Sequence, residues 1–336
     1  MDHYRQCLRI GASAILCALV LRLGAEGFFQ PIADFLTSPK IASFLIYLET
    51  GRNVRFSPSP EATEVFSMES HIPDFARKEA QLTLLPSFTP EEGSQIPIRY
   101  NCSRRPDLAQ LIAAPLTWDL TGPEPTVLIL HTHSTESYTQ TAETSYAESS
   151  AFRTLDENHN MLSVGSHLAK LLEEGGIPVI QDRALHDYPS YNGSYNHARK
   201  SIAQHLKENP SIRLILDLHR DASGDNRNQM RTEATVNGKS AAQLMLVLGT
   251  DASGLKHPDW EKNLALGLKL HTQCERICPG IMRYVNLRAQ RFNQDLSPGA
   301  LLVEVGAAGN TLPEALAAVE VLAESILALA KGSSVP

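Results

Sequence analysis

Residues 126–137 read TVLILHTHSTES. The run TVLILH (Thr126 to His131) is apolar without alternation, as in a strand covered on both faces of a sheet. Working outward, Asn160 is placed to cap a helix with Met161, Val164, Leu168, Leu171 and Leu172 on one face, ending at Gly175-Gly176. Ile177 to Ile180 then reads as strand, and a second helix from about Tyr195 to Glu208 stops before Pro210. LILDL (Leu214 to Leu218) and QLMLVLG (Gln243 to Gly249) are further buried strands, the second after an Asn237-Gly238 hairpin turn. A helix around Asp259 to Arg276, a strand near Arg283 to Leu287 and the strand Leu301 to Val305 follow. Thr311 and Glu314 form a capping box with Pro313 in the first turn, opening a helix that runs to Lys331. This alternation predicts an α/β domain, a mostly parallel twisted sheet flanked by helices.

Bulk properties bound the function. The chain has 336 residues, 43% of them hydrophobic, enough for one sizeable core with segments left over. A formal charge of -7 and the absence of any long Lys/Arg cluster (Arg104-Arg105 is a short pair) argue against a nucleic-acid partner. Five cysteines, none in a Cys-x-x-Cys, are too few for a disulfide scaffold and make a thiolate zinc site improbable.

The N-terminus carries a separate signal. IGASAILCALVL (Ile10 to Leu21) is uncharged, with Arg5 and Arg9 before it and Arg22 after it. A signal-anchor helix, a cleaved signal peptide and a buried or interfacial helix all fit so short a segment. The leading positive charges favour a cytoplasmic N-terminus and an exported body. The expected division is therefore an anchor or signal segment over residues 1–29, a proline-punctuated juxtamembrane spacer over 30–95 and a catalytic body over 96–332.

Active sites of such folds gather at the carboxyl ends of strands. Three of those ends are polar here: HTHSTES after Leu130, HRDAS after LILDL, and Glu304 inside LLVEVG. The His-x-x-Glu of His133 and Glu136, completed by His219, offers two imidazoles and a carboxylate, leaving the fourth position of a tetrahedral zinc ion open. Asp217, two residues before His219 on a strand, falls on the same face and is suited to orient its imidazole. His131 competes with His133 for the first position. Glu304 lies between Val303 and Val305, where a carboxylate is costly to bury without a partner or a function. The stretch HDYPSYNGSY (His186 to Tyr195) belongs to the same edge, either as the wall of a groove for a polar glycopeptide or as a packed loop.

HTHSTESY, NMLSVGSHL, DYPSYNGSY, the HRDA after LDL, and NQDLSPGALLVEVG resemble the stage II sporulation protein P family of endospore-forming Firmicutes, from about Ile96 to Lys331. The resemblance implies a membrane-bound, extracytoplasmic N-acetylmuramoyl-L-alanine amidase, with endopeptidase activity on cross-links also attributed to the family. It implies a fold like zinc amidases and carboxypeptidases, a Zn2+ cofactor on His133, Glu136 and His219, and Glu304 as proton carrier. Arg220 is then a candidate for holding a substrate carboxylate or the developing oxyanion. Cell-wall amidases take their metal glutamate from the start of the following helix, which makes Glu157 an alternative to Glu136. Engulfment during sporulation beside the stage II partner proteins D and M is likewise implied. A zinc peptidase confined to stem peptides and a non-enzymatic wall-binding module are the rival readings.

Overall fold

The structure, a computed structural model, describes residues 88–115, 119–225 and 228–330. The anchor expected over residues 1–29 and most of the spacer lie outside the described residues. Among the described residues no helix is long and apolar enough to cross a membrane.

The described chain begins with α1 (Pro90–Gln95), β1 (Ile98–Asn101) and α2 (Leu108–Ala113). Thr89 and Glu92 cap α1 reciprocally, and Phe88 is buried, so residues read above as the end of the spacer pack into the body. Next come β2 (Val127–Leu130), α3 (Met161–Glu174), β3 (Val179–Gln181), α4 (Ser194–Glu208) and β4 (Leu214–Asp221). Four short strands follow: β5 (Gly224–Asp225), β6 (Asn228–Gln229), β7 (Ala234–Val236) and β8 (Lys239–Ala241). The chain closes with β9 (Leu244–Gly249), α5 (Trp260–Ile277), β10 (Val285–Arg288), β11 (Ala300–Ala307) and α6 (Leu312–Ala330).

Local chemistry explains several boundaries. Asn160 caps α3 by accepting from Leu162 N at 2.9 Å. Asn237 and Gly238 both have positive φ, 50° and 76°, as the tight turn between β7 and β8 requires. Thr311 N donates to Glu314 Oε2 at 2.9 Å at the start of α6.

The sheet has seven strands in the order β1-β10-β9-β11-β4-β2-β3. All neighbours are parallel except β9 and β11, which run antiparallel. One seam thus joins two parallel blocks: β2, β3, β4 and β11 share one carboxyl edge, and β1, β10 and β9 the opposite one. Leu214, Leu216 and Leu218 of β4 and Leu301, Val303 and Val305 of β11 join the large core with α3, α5 and α6. The opposite face packs Leu128, Leu130 and Ile215 against Ala198, Ile202 and Leu206 of α4. With a side-chain period of two, Asp217 and His219 go with Ile215, and Glu304 goes with Leu302, all to the α4 face.

Candidate active site

Three strand ends converge on the shared carboxyl edge. Glu304 and His219 are register partners on β11 and β4, and Leu130 is paired with Asp217 across β2 and β4. The segment after β2 turns back over these ends. Thr132 grips Asp217 twice, through its N–H at 2.8 Å and its hydroxyl at 2.6 Å. The Asp217 carboxylate in turn lies 3.0 Å from His219 Nε2, a charge contact that is not aligned as a hydrogen bond. On the other side of the ring, His219 Nδ1 is 3.5 Å from Glu136 Oε2.

These surroundings set the charges. Burial pushes the Glu136 carboxyl up, but Arg220, His219 and His133 outweigh it and hold the group well below the usual carboxylate range. Burial likewise opposes a charge on His219, yet Asp217 and Glu136 raise it well above its ordinary value. The site therefore demands a positive charge between its two carboxylates. His133 is the reverse case: burial lowers it to about 4 against the pull of Glu136, with His219 and Arg153 adding to the fall. Its imidazole is neutral at pH 7, and its Nδ1 is buried with no hydrogen-bond partner.

His131 is used differently. Its Nδ1 lies 3.2 Å from the Leu218 carbonyl oxygen and its Nε2 lies 3.3 Å from Gln181 Nε2. α3 presses on this pair at Gly165, where an added Cβ would meet His131 Nε2 and come within 2.6 Å of Gln181 Nε2. Both nitrogens of His131 are thus occupied by the fold, while His133 has one to offer. Glu157 has half-exposed surroundings and pairs with Arg183, whereas Glu136 touches His219.

Glu304 carries the third perturbed carboxyl. Its Oε2 is buried and has no hydrogen-bond partner. Burial pushes the group up to about 8; His219 opposes the rise, and Glu136 and Asp221 add to it.

Arg220, the sequence candidate for holding a substrate carboxylate or the oxyanion, has its guanidinium bonded to protein groups. Its Nε donates to the Ser137 carbonyl at 2.9 Å and its Nη2 to the Phe152 carbonyl at 2.8 Å. Its Nη1 is 3.5 Å from Glu136 Oε1, and its backbone N–H donates to Glu136 Oε2 at 3.3 Å. The guanidinium is buried and turned into the protein, where it clamps Glu136 and the segment around Phe152.

Two residues escaped the sequence reading. Arg153 donates from Nη2 to Glu136 Oε1 at 3.2 Å and from Nη1 to Asp187 Oδ2 at 2.5 Å and Thr135 Oγ1 at 3.1 Å. Asp187, buried, also accepts from Ser134 Oγ and the Thr135 backbone. A single arginine in irregular chain gives no signal of this; Asp187 lies in the tyrosine-rich stretch but carries no spacing to Thr135. Of the tyrosines, Tyr191 stacks on His133 with centroids 4.4 Å apart, and Tyr195 meets the same ring edge-on at 5.6 Å. The loop therefore reaches the polar centre.

Among the described residues no group of three or more His, Cys, Asp and Glu side chains is drawn together as a finished metal site. What the structure does bring together is His133, Glu136 and His219, with the two imidazole rings 5.2 Å apart and perpendicular.

A family model described as Stage II sporulation protein P matches residues 61–327. Stage II sporulation protein P of Bacillus subtilis (strain 168) is 31% identical over 205 residues, covering 58% of this chain and 48% of that protein. The chain thus spans about half the length of the curated relative it matches. Among solved structures, N-acetylmuramoyl-L-alanine amidase AmiC2 of Nostoc punctiforme is 14% identical with a TM-score of 0.37, covering 61% of this chain and 97% of that one. An N-acetylmuramoyl-L-alanine amidase from Clostridium difficile 630 is 16% identical with a TM-score of 0.35, covering 61% and 96%. With most of its length matched by the family model, the chain belongs to the stage II sporulation protein P family.

Proposed function

We propose that this protein is a zinc-dependent peptidoglycan hydrolase of sporulation, cutting the amide bond between N-acetylmuramic acid and L-alanine. The observation that carries the reading is Glu304, a carboxyl whose buried Oε2 has no partner although it stands beside His219. A buried carboxyl without a partner at a strand end, beside a charged imidazole, marks a place for chemistry more than for stability.

The residues fit a zinc ion in their donor chemistry. His133 offers a neutral imidazole with an orphaned Nδ1, and Glu136 is ionised. The proton that Asp217 and Glu136 hold on His219 marks where a divalent cation is favoured, since metal binding releases such protons. His133, Glu136 and His219 would hold the ion, with Asp217 orienting His219 from its other nitrogen. When bound, zinc lowers the pKa of a water toward about 7 and polarises the substrate carbonyl.

The protein's own groups do the rest. Burial raises Glu304 to about 8, and a cation held by His133, Glu136 and His219 would oppose that rise, leaving its carboxylate ionised to take the proton of the attacking water and deliver it to the leaving amine of L-alanine. Arg220 and Arg153 hold Glu136 from two directions, so its carboxylate keeps one orientation. Arg220 is accordingly a positioning residue in this reading, its bonds being spent on protein groups. Family membership supports action in sporulation; the apolar N-terminal segment would tether the body outside the cytoplasm. The stage II proteins D and M are the partners that the resemblance implies.

The test is digestion of purified sacculi by the wild type and by Glu304→Gln, with the new ends identified by mass spectrometry. Free lactyl groups and new L-alanine amines, absent with the variant, are expected. Cut cross-bridges alone point to a stem-peptide peptidase, and intact sacculi to a wall-binding module; either contradicts the proposal.

A further inference from the structure

Tyr191 is 56% exposed, yet its ring is not free. It lies nearly parallel to His133, at 13° between planes, and the Arg153 guanidinium carbon is 4.9 Å from its centroid. The loop beneath it is fixed. Asp187 ties it to Ser134, Thr135 and Arg153, and His186, held 3.0 Å from Asp182 by its Nε2, gives its carbonyl to His197 Nδ1 at 2.9 Å. Tyr188 in the same loop is 50% exposed. Among the described residues the exposed large apolar side chains are Leu155, Tyr188, Tyr191 and Leu255, so half of them sit in this loop. Exposed aromatic rings on a pinned backbone form a preorganised surface, one that loses little entropy when a flat ligand face covers it.

We propose that the exposed part of the Tyr191 ring, which His133 and Arg153 leave uncovered, is the stacking surface for a pyranose ring of the glycan strand. The inference rests on the hydrolase reading above and assigns its sugar subsite. The chemistry of the substrate sets the distance. In muramic acid the scissile carbonyl hangs on a lactyl arm, separated from the sugar ring by only a few bonds of about 1.5 Å each. A sugar whose amide is cut at His133 and His219 must therefore lie against the ring next to them. Tyr191 and Tyr195 both flank His133, and of the two it is Tyr191 that is exposed to a ligand. A phenol presents an apolar face to the C–H face of a sugar and a wet hydroxyl at its rim. A peptide carboxylate finds no equivalent partner here, because the Arg153 guanidinium is engaged by Glu136, Asp187 and Thr135.

The test uses the full chain and, as probe, glycan strands stripped of their peptides, which contain no scissile amide. Binding is measured for the wild type, Tyr191→Phe and Tyr191→Ala, with thermal melts to verify folding, and hydrolysis of intact sacculi is measured separately. Equal binding by the wild type and Tyr191→Phe is expected, with a loss of about tenfold for Tyr191→Ala. Unchanged binding by Tyr191→Ala, or no binding of peptide-free glycan by the wild type, overturns the subsite even if sacculi are cut. Failure to cut sacculi while glycan binding depends on Tyr191 sinks the hydrolase reading and leaves the stacking surface standing.

Discussion

Glu304 and His219 are register partners on adjacent parallel strands, so a single pleat direction presents a carboxyl and an imidazole side by side at one sheet edge. Neither gains by burial alone. Glu304 is left without a partner on Oε2, and His219 is charged only because Asp217 and Glu136 flank it.

Replacing Glu304 by Gln keeps the shape and removes the proton carrier. Sacculus hydrolysis is expected to fall by about 10²–10⁴-fold, the usual worth of a positioned general base, with an unchanged melting temperature. Release of dye-labelled wall fragments at the wild-type rate contradicts the role given to Glu304.

Arg220 is expected to matter for stability first. Arg220→Met takes one of two arginines from the buried Glu136 carboxylate and leaves the Ser137 and Phe152 carbonyls without their guanidinium partner. Removing one partner of a buried ion pair costs about 3–5 kcal/mol, so urea unfolding should shift strongly. A loss below about 1 kcal/mol means that Arg220 does not clamp this segment.

The His131 position was only partly legible in advance. His131 and His133 are two residues apart, so strand alternation cannot separate them; what differs between them in the fold is α3, whose Gly165 lets Gln181 and His131 close against the helix. Gly165→Ala is expected to cost about 1–3 kcal/mol by overpacking and to lower activity with it. A variant as stable and as active as the wild type shows that this contact does not hold the loop.

Acid stability provides an independent check at the start of α6. Burial acts to raise Glu314, but bonds from Arg231, the Thr311 N–H, Asn310 and Ser240 hold it at about 2, below its ordinary 4.5. A depressed carboxyl stabilises the fold above its unfolded value, and that stability is lost as pH falls from about 4.5 to about 2. The stability gap between the wild type and Glu314→Gln, read by chemical denaturation, should therefore shrink across this window. A gap that widens toward acid contradicts the assignment.

Much of the fold was readable because buried strands announce themselves: TVLILH, LILDL and LLVEVG are strands, and their polar ends meet at one edge. The direction of β9 was not readable, since a buried strand has the same composition whichever way its neighbour runs. The roles of Arg220 and Arg153 were hidden for another reason. Their partners, Ser137, Phe152, Asp187 and Glu136, are set by the path of irregular chain between β2 and α3, which has no period to read.

The central claim, hydrolysis at a metal held by His133, Glu136 and His219, is tested most directly by measuring zinc content and sacculus hydrolysis on one preparation of the full chain, before and after chelation. About one zinc per chain is expected, with metal and activity lost together and restored together by added zinc. Hydrolysis that persists at full rate in a preparation free of metal contradicts the account.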